Sequence, residues 1–430
     1  MTNMNIKVHH VTRIEGHGNI ILNVKDGKVN EVKWEVIESP RFFEAMMRGL
    51  SYSDVNYVSP RICGICSVAH ATASIEATEA AFGVELSEQT ILLRKLLFDA
   101  ETLQSHVLHD YFLIAPDFFG VGSVFPLVET HPDIVLRALR LKKFANDWAD
   151  LLCGRKTHPL SYVAGGFTKL PEISQLKWLK EKLAETMKDL DITVELFKTL
   201  KIPDFTRETE YISLTKPDEY AFIGGVIASS DTGTTPINNY LEITNEFCVP
   251  WSTAKFTKHN RDSYQVGALA RFNNNHNQLH PKAKKVAKEL GLKALCHNPF
   301  MISIAQLAES VHVVENSLML IDKIISRGIK PEKPSVKPKA GRGVGAVEAP
   351  RGILFHDYTF DDKGILLSAN CIIPTNQNHN SIQKDFEALV PKIIDRPQEE
   401  VRQMLEMLVR AYDPCVSCST HLLEVKFTNV

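Results

Sequence analysis

Two cysteine pairs stand almost at opposite ends of the chain. The first is Arg61-Ile62-Cys63-Gly64-Ile65-Cys66, followed by His70; the second is Asp413-Pro414-Cys415-Val416-Ser417-Cys418, followed by His421. Two intervening residues let two thiolates converge on one metal. Four soft thiolates suit zinc, an iron–sulfur cluster, or nickel with iron. A zinc finger closes its loop over a short segment, whereas here nearly the whole chain lies between the pairs. That argues for a reactive centre buried between remote segments. The four cysteines and two histidines also exceed the four ligands of structural zinc, and Arg61 is an electropositive neighbour that favours the Cys63 thiolate. On spacing alone, a structural zinc site stays open.

Other segments carry weaker chemical signals. In Arg13-Ile14-Glu15-Gly16-His17-Gly18, glycines flank a histidine within a strand-like stretch, which points to a bulge or a close backbone approach; the plain alternative is a salt-bridged surface hairpin. In Glu348-Ala349-Pro350-Arg351-Gly352, proline fixes the backbone and glycine permits close approach, so Arg351 could be held rigidly over another group; an exposed turn is the plain alternative. His106, His109 and Asp117 lie on or just beyond a long helix and read as satisfied core residues. Glu44 reads as a solvated helix residue, and Cys153, Cys248, Cys296 and Cys371 as buried small hydrophobes.

The elements that must position these groups are mostly helices. Residues 5–37 alternate like strands, with Asp26-Gly27 as a hairpin turn. Apolar stripes at steps of three and four run from Leu96 to Ile114, Ile134 to Leu152, Leu176 to Phe197 and Ile304 to Ile325. The first helix should end at Pro116-Asp117, and Thr130 should cap the second. Residues 203–300 read as short strands and loops, 365–373 as a strand, and Val401 to Tyr412 as a last helix stopped by Asp413-Pro414. The expectation is an α+β, mainly helical fold. It has a long-helix bundle (61–200 and 300–327), a small N-terminal antiparallel sheet (1–60) and short peripheral strands. A C-terminal metal-binding region (341–430) completes one domain over 1–430, with the metal site joining both chain ends.

The bulk numbers are those of an ordinary globular protein: 430 residues, 44% hydrophobic, 23% charged, formal net charge -2. No basic field suggests nucleic acid, no apolar run of about 18 residues suggests a membrane span, and the polar N-terminus lacks a signal-peptide core. Eight cysteines are too sparse for a disulfide scaffold, so a reducing cytoplasm is the expected compartment.

Taken in order, these segments, with Gly154-Arg155, His158-Pro159 and Pro374-Thr375, resemble the large subunit of a [NiFe]-hydrogenase over nearly the whole chain. The resemblance implies that Cys63 and Cys415 are terminal nickel thiolates and that Cys66 and Cys418 bridge nickel to an iron carrying CO and cyanide, which maturation proteins install. It implies reversible cleavage of H2 to two protons and two electrons, with Cys415 or Arg351 as base. Arginine stays protonated in almost all settings, which favours the thiolate. Glu15 would relay the proton, Asp117 and Asp413 would flank Arg351, and Thr375, beside Pro350 at the cofactor, would bond a cyanide. His70 would support a bridging sulfur, and Glu44, the Cys371 carbonyl and His421 would hold magnesium. A small subunit with Fe–S clusters would carry electrons away. Ser39-Pro40-Arg41-Phe42-Phe43-Glu44 resembles the cytoplasmic, cofactor-linked branch, whose further subunits pass electrons to NAD(P), ferredoxin or a heterodisulfide. The family is commonly cut after the histidine equivalent to His421; Leu422 to Val430 follow it here, as a kept tail or an uncut precursor. The quinone-site subunit of respiratory complex I shares the fold but lacks the four cysteines. The alternatives are a structural zinc protein and an electron-transfer subunit without hydrogen chemistry.

Overall fold

At Asp26 and Gly27 the backbone takes φ of 53° and 76°, the pair of positive values that a two-residue hairpin turn needs. The turn joins strands Gly18–Lys25 and Lys28–Val36, and Met4–Val8 adds antiparallel to the first of them. The computed structural model describes residues 3–420, so His421 and the question of the tail lie outside the described residues. The Arg13–His17 segment is not part of this sheet. It connects Met4–Val8 to Gly18–Lys25, with Arg13 at φ 61° and Gly16 at φ 83°, because its hydrogen bonds go to the second cysteine segment instead.

The four expected helices are Glu88–Leu108, Pro132–Cys153, Ile173–Lys198 and Ile302–Arg327, and they pack on one another. Two details differ from expectation. Beyond Leu108 the first helix widens into a π turn over His109–Ile114 and then runs through Phe118. The second is preceded by His131, not Thr130; Thr130 ends a short helix, Phe125–Thr130, and its hydroxyl donates back to the Pro126 carbonyl. Pro132 opens the helix, where its missing N–H costs nothing.

Two helices carry no readable stripe. Ser67–Phe82 is buried on all sides, and Pro374–Ile393 buries polar residues, so neither has the one-sided pattern that marks a surface helix. Ser67–Phe82 lies against the hairpin of Gly341–Ala349 and Gly352–Phe360, which Leu366–Ile372 extends to three antiparallel strands. The glycines decide this packing: a Cβ on Gly343 would lie 2.1 Å from the Ala77 carbonyl oxygen, and one on Gly345 2.1 Å from that of Ala73. Strand backbone therefore rests directly on helix backbone. Residues 203–300 form a four-stranded sheet, as expected of short strands, and also helices Ala268–Asn275 and Pro281–Glu289, which were not expected. Among the described residues no helix is long and apolar enough to cross a membrane.

Because the Ser67–Phe82 backbone has no side chain to yield there, Gly345→Ala should lower stability by about 1–3 kcal/mol through overpacking. Thermal unfolding of the variant beside the parent measures it; an unchanged midpoint would mean that the strand can lift off the helix freely.

Candidate metal centre

Three of the cysteines sit at or in helical segments, and Cys415 pairs with Glu15 as a β-bridge. Cys63 follows the 3₁₀ turn Ser59–Ile62, Cys66 immediately precedes helix Ser67–Phe82, and Cys418 lies in the 3₁₀ turn Ser417–Thr420. All four side chains are buried, and their sulfurs lie within 4.8 Å of one another. Cys63 Sγ is 3.5 Å from Cys415 Sγ and accepts from the Cys66 backbone N–H at 3.2 Å. Hydrogen bonds from Cys415, Cys418 and Cys66 pull the Cys63 thiol well below its ordinary pKa. The others move well up: Cys66 chiefly through Cys415, Cys415 chiefly through Cys418, and Cys418 through burial. The pocket alone thus holds one thiolate comfortably. Four at this separation need a bound cation, which is the donor chemistry of a thiolate metal site.

The N-terminal connection is strapped across the second pair. Glu15 pairs with Cys415 as a parallel bridge: its N–H donates to the Pro414 carbonyl at 3.3 Å, and Val416 N–H donates to its carbonyl at 2.9 Å. Ser417 N–H and Oγ–H donate to the Glu15 carboxylate at 3.1 and 2.5 Å. Gly16 is needed here, since a Cβ would lie 2.7 Å from Ser417 N. Arg41 was not anticipated: its Nη2 donates to the Ile62 carbonyl at 2.7 Å and the Ser417 carbonyl at 2.8 Å, joining both cysteine segments.

Arg351 sits at the tip of the Gly341–Phe360 hairpin, fully buried. Its Nε donates to the Asp413 carbonyl at 2.6 Å, Nη2 to Asp413 Oδ1 at 2.8 Å and Nη1 to Ser105 Oγ at 3.2 Å. Burial disfavours its charge, but Asp413 and the nearby cysteines outweigh burial and raise the guanidinium above its ordinary value. Asp117, expected beside Arg351, instead binds Arg13 at 2.5 Å and both Nε and Nη2 of Arg410 at 2.8 and 3.0 Å. Asp117 lies in Ala115–Phe118, beyond the π turn. The Pro350 carbonyl accepts from Arg271 at 2.9 Å.

The remaining expected residues fall as follows. Thr375 Oγ1 accepts from Cys415 N–H at 3.0 Å, leaving its own proton to donate elsewhere. His70, one helical turn after Cys66, contacts His356 at 3.1 Å, which in turn meets Tyr358. Glu44 is buried, not solvated, and accepts from the Cys371 backbone N–H at 2.6 Å. His109 is a satisfied core group, bonded to Gln306 and the Arg410 carbonyl, whereas His106 is buried and bonds Glu309 through Nε2 while its Nδ1 has no hydrogen-bond partner. Cys153 and Cys371 are buried as expected; Cys248 is exposed and Cys296 half-buried. Glu101, which carries no local sequence signal, accepts from Val68 and Ala69 N–H at the start of the Ser67–Phe82 helix, and burial pushes it up to about 8.

A buried constellation of four thiols under an arginine, drawn from both chain ends, agrees with what family comparison finds. Residues 41–131 and 238–421 match the family described as nickel-dependent hydrogenase, and 5–39 match one described as HoxL-like. The chain belongs to the nickel-dependent hydrogenases and is the catalytic, large subunit of such an oxidoreductase. It is similar to the alpha chain of sulfhydrogenase 1 of Pyrococcus furiosus, 35% identical over 98% of each chain. It is similar also to the alpha chain of sulfhydrogenase 2 of the same organism, 30% identical over 98% of this chain and 100% of that one. Among solved structures it superposes on an NAD+-reducing [NiFe]-hydrogenase in the H2-reduced state with a TM-score of 0.89 at 25% identity, covering 97% of this chain and 99% of that one. Nickel and iron are the metals this membership implies for the cysteine cluster. Both sulfhydrogenase relatives are named as one subunit of an assembly, which implies a partner subunit.

One group near the cluster makes a pH prediction. His379 accepts from Trp34 Nε1–H at 2.9 Å and donates from Nε2 to Ser419 Oγ at 2.8 Å. Both ring nitrogens are thereby committed in the neutral form, and burial pushes the pKa down to about 3. Between about 3 and the unfolded value of about 6.5, only the unfolded chain takes up this proton. Stability should therefore fall as pH drops through that window, by up to about 1.4 kcal/mol per pH unit from this group. His379→Gln, which cannot titrate, should flatten the slope; unfolding midpoints from pH 4 to 7 for both proteins measure it.

Proposed function

We propose that H2 is split heterolytically between the metals and the Cys415 thiolate, with Arg351 as a fixed cation facing them and Glu15 as the first proton acceptor on the way out. The observation that carries this is the joining of the four-sulfur cluster to Glu15 by backbone pairing at Cys415 itself. Nickel and iron, when bound, supply the hydride-accepting and electron-carrying half of the reaction. The chain's own residues do the rest. Arg351 is held charged by Asp413 and so cannot serve as base, which leaves the thiolate. Glu15 is half-buried, reachable from solvent on one side and tied to Ser417 on the other. In this reading Cys63 and Cys415 would be terminal ligands of nickel, and Cys66 and Cys418 would be shared between nickel and an iron carrying CO and cyanide. The Thr375 hydroxyl proton is available to a cyanide nitrogen, and Glu44 with the Cys371 carbonyl and His421 takes a magnesium ion.

The electrons pass to a small subunit with Fe–S clusters. That subunit docks near Glu15 and His17 over an obligate-type interface of about 2,000–5,000 Å², and further subunits hand the electrons to a soluble acceptor such as NAD(P), ferredoxin or a heterodisulfide in the cytoplasm. Maturation proteins insert the metals and the diatomic ligands. Metal analysis and infrared spectroscopy of the purified complex test the reading: one nickel per large subunit, iron in excess of nickel because the small subunit's clusters add to it, and CO and cyanide bands are expected. A single zinc without those bands would give a scaffold protein instead, and Fe–S clusters alone an electron-transfer subunit.

Two variants separate the roles. Cys415→Ser should abolish H2 cleavage and deplete nickel; normal nickel and normal turnover would refute its assignment. Glu15→Gln fills the same space but cannot take a proton. It should retain both metals and slow exchange between D2 and water by about 10²- to 10⁴-fold; an unchanged exchange rate would show that protons leave elsewhere.

A further inference from the structure

A second buried arginine lies behind the first. Arg271 is on helix Ala268–Asn275 and has no solvent exposure. Its guanidinium uses every N–H it has. Nε and Nη2 grip Glu309 at 2.7 Å each, Nη1 reaches Glu348 at 2.9 Å, and Nη1 and Nη2 donate to the carbonyls of Ala349 and Pro350, both at 2.9 Å. Those are the two residues that precede Arg351. The helix reaches the turn through glycine: Gly267 has φ 108°, and a Cβ there would lie 2.9 Å from the Arg351 carbonyl oxygen. On the other side, a Cβ on Gly352 would lie 2.8 Å from Gly267 N. Glu309 is itself fixed by His106 and by the Tyr220 hydroxyl at 2.7 Å each. Although burial opposes its charge, Arg271 draws its pKa down to about 2.

We infer that Arg271 is a positioning residue for hydrogen cleavage: by clasping the Ala349 and Pro350 carbonyls from a buried carboxylate anchor, it fixes the turn that aims Arg351 at the cysteines. The inference rests on the proposed role of Arg351. Two consecutive carbonyls of a hairpin turn would otherwise point into a dry interior without partners. An ammonium offers three donors on a flexible stem, where the guanidinium offers five in a planar fork. Lysine at this position has three donors for the five contacts that Arg271 makes to Glu309, Glu348 and the two carbonyls, so it cannot keep all of them.

The test uses the complete complex and four proteins: parent, Arg271→Lys, Arg351→Lys and the double variant. Exchange between D2 and water is measured at known nickel and iron content, and backbone amide exchange is followed by mass spectrometry across residues 345–355. Arg271→Lys should retain its metals, lose about 10- to 100-fold in D2 exchange, as displacement of a catalytic group by about 1 Å does, and show faster amide exchange at the turn. The double variant should be no slower than Arg351→Lys alone, because Arg271 acts only through Arg351. Parent-like D2 exchange, losses that multiply in the double variant, or unchanged amide exchange would each overturn the inference. Should Arg271→Lys fail to accumulate, Arg271→Gln with Glu309→Gln removes both charges together and is held to the same readouts. If the parent itself exchanges no D2, it is the functional reading that fails, and the amide measurement still decides whether Arg271 holds the turn.

Discussion

Four sulfurs within 4.8 Å of one another, two of them 352 positions apart in the chain, impose the constraint that the rest of the molecule answers. Like charges repel at this distance, and burial removes the water that would screen them. A fold that brings them together must therefore hold the two segments by other means and provide compensating cations. Arg41 does the first directly, with one nitrogen on carbonyls from both segments. The Glu15 strap and the Thr375 hydroxyl secure the second segment from two further directions. Metals and Arg351 provide the compensation.

Arg351 in turn depends on how closely backbones approach. Glycines at alternate positions let the Gly341–Ala349 strand lie on the Ser67–Phe82 helix, so that the helix beginning after Cys66 and the hairpin carrying Arg351 are in direct backbone contact. From Arg351 a continuous set of polar contacts leads outward. Asp413 meets Gln306, Gln306 meets His109, and His109 bonds the Arg410 carbonyl; Arg410 pairs with Asp117, and Asp117 with Arg13 on the strap. Asp117 thus belongs to the same network as Arg351, several contacts away from it. Buried polar groups linked in this way are costly to break singly, which favours one arrangement of the centre.

What could be read from the sequence was what local pattern encodes. The Cys63 and Cys415 pairs stood out because the spacing that chelates a metal is visible within four residues. Pro132–Cys153 and Ile173–Lys198 stood out because one face of each still meets solvent, and Glu88–Leu108 and Ile302–Arg327, buried all round over 96–107 and 302–314, because polar residues still separate their apolar ones. Ser67–Phe82 was invisible because alanine, serine and threonine on every face give no periodicity, although Gly341, Gly343 and Gly345 were a trace of the partner strand. Pro374–Ile393 was hidden because its asparagines and glutamines, polar in sequence, are spent on buried backbone groups such as Val266 N and the Ile353 carbonyl. Ion pairs such as Arg271 with Glu309 leave no mark at all, since neither spacing nor composition records which charges meet.

The two cysteines read as terminal also differ in their surroundings, and the difference bears on which one passes the proton on. Behind the Cys63 segment lies Glu101, fully buried against the start of the Ser67–Phe82 helix and pushed up to about 8. Burial disfavours its charged form, against the two N–H donors that favour it. Behind Cys415 lies Glu15, half-buried, with its carboxylate bonded to Ser417 N–H and Oγ–H. In the proposed mechanism the half-buried carboxylate thus lies on the Cys415 side of the cluster and the fully buried one on the Cys63 side.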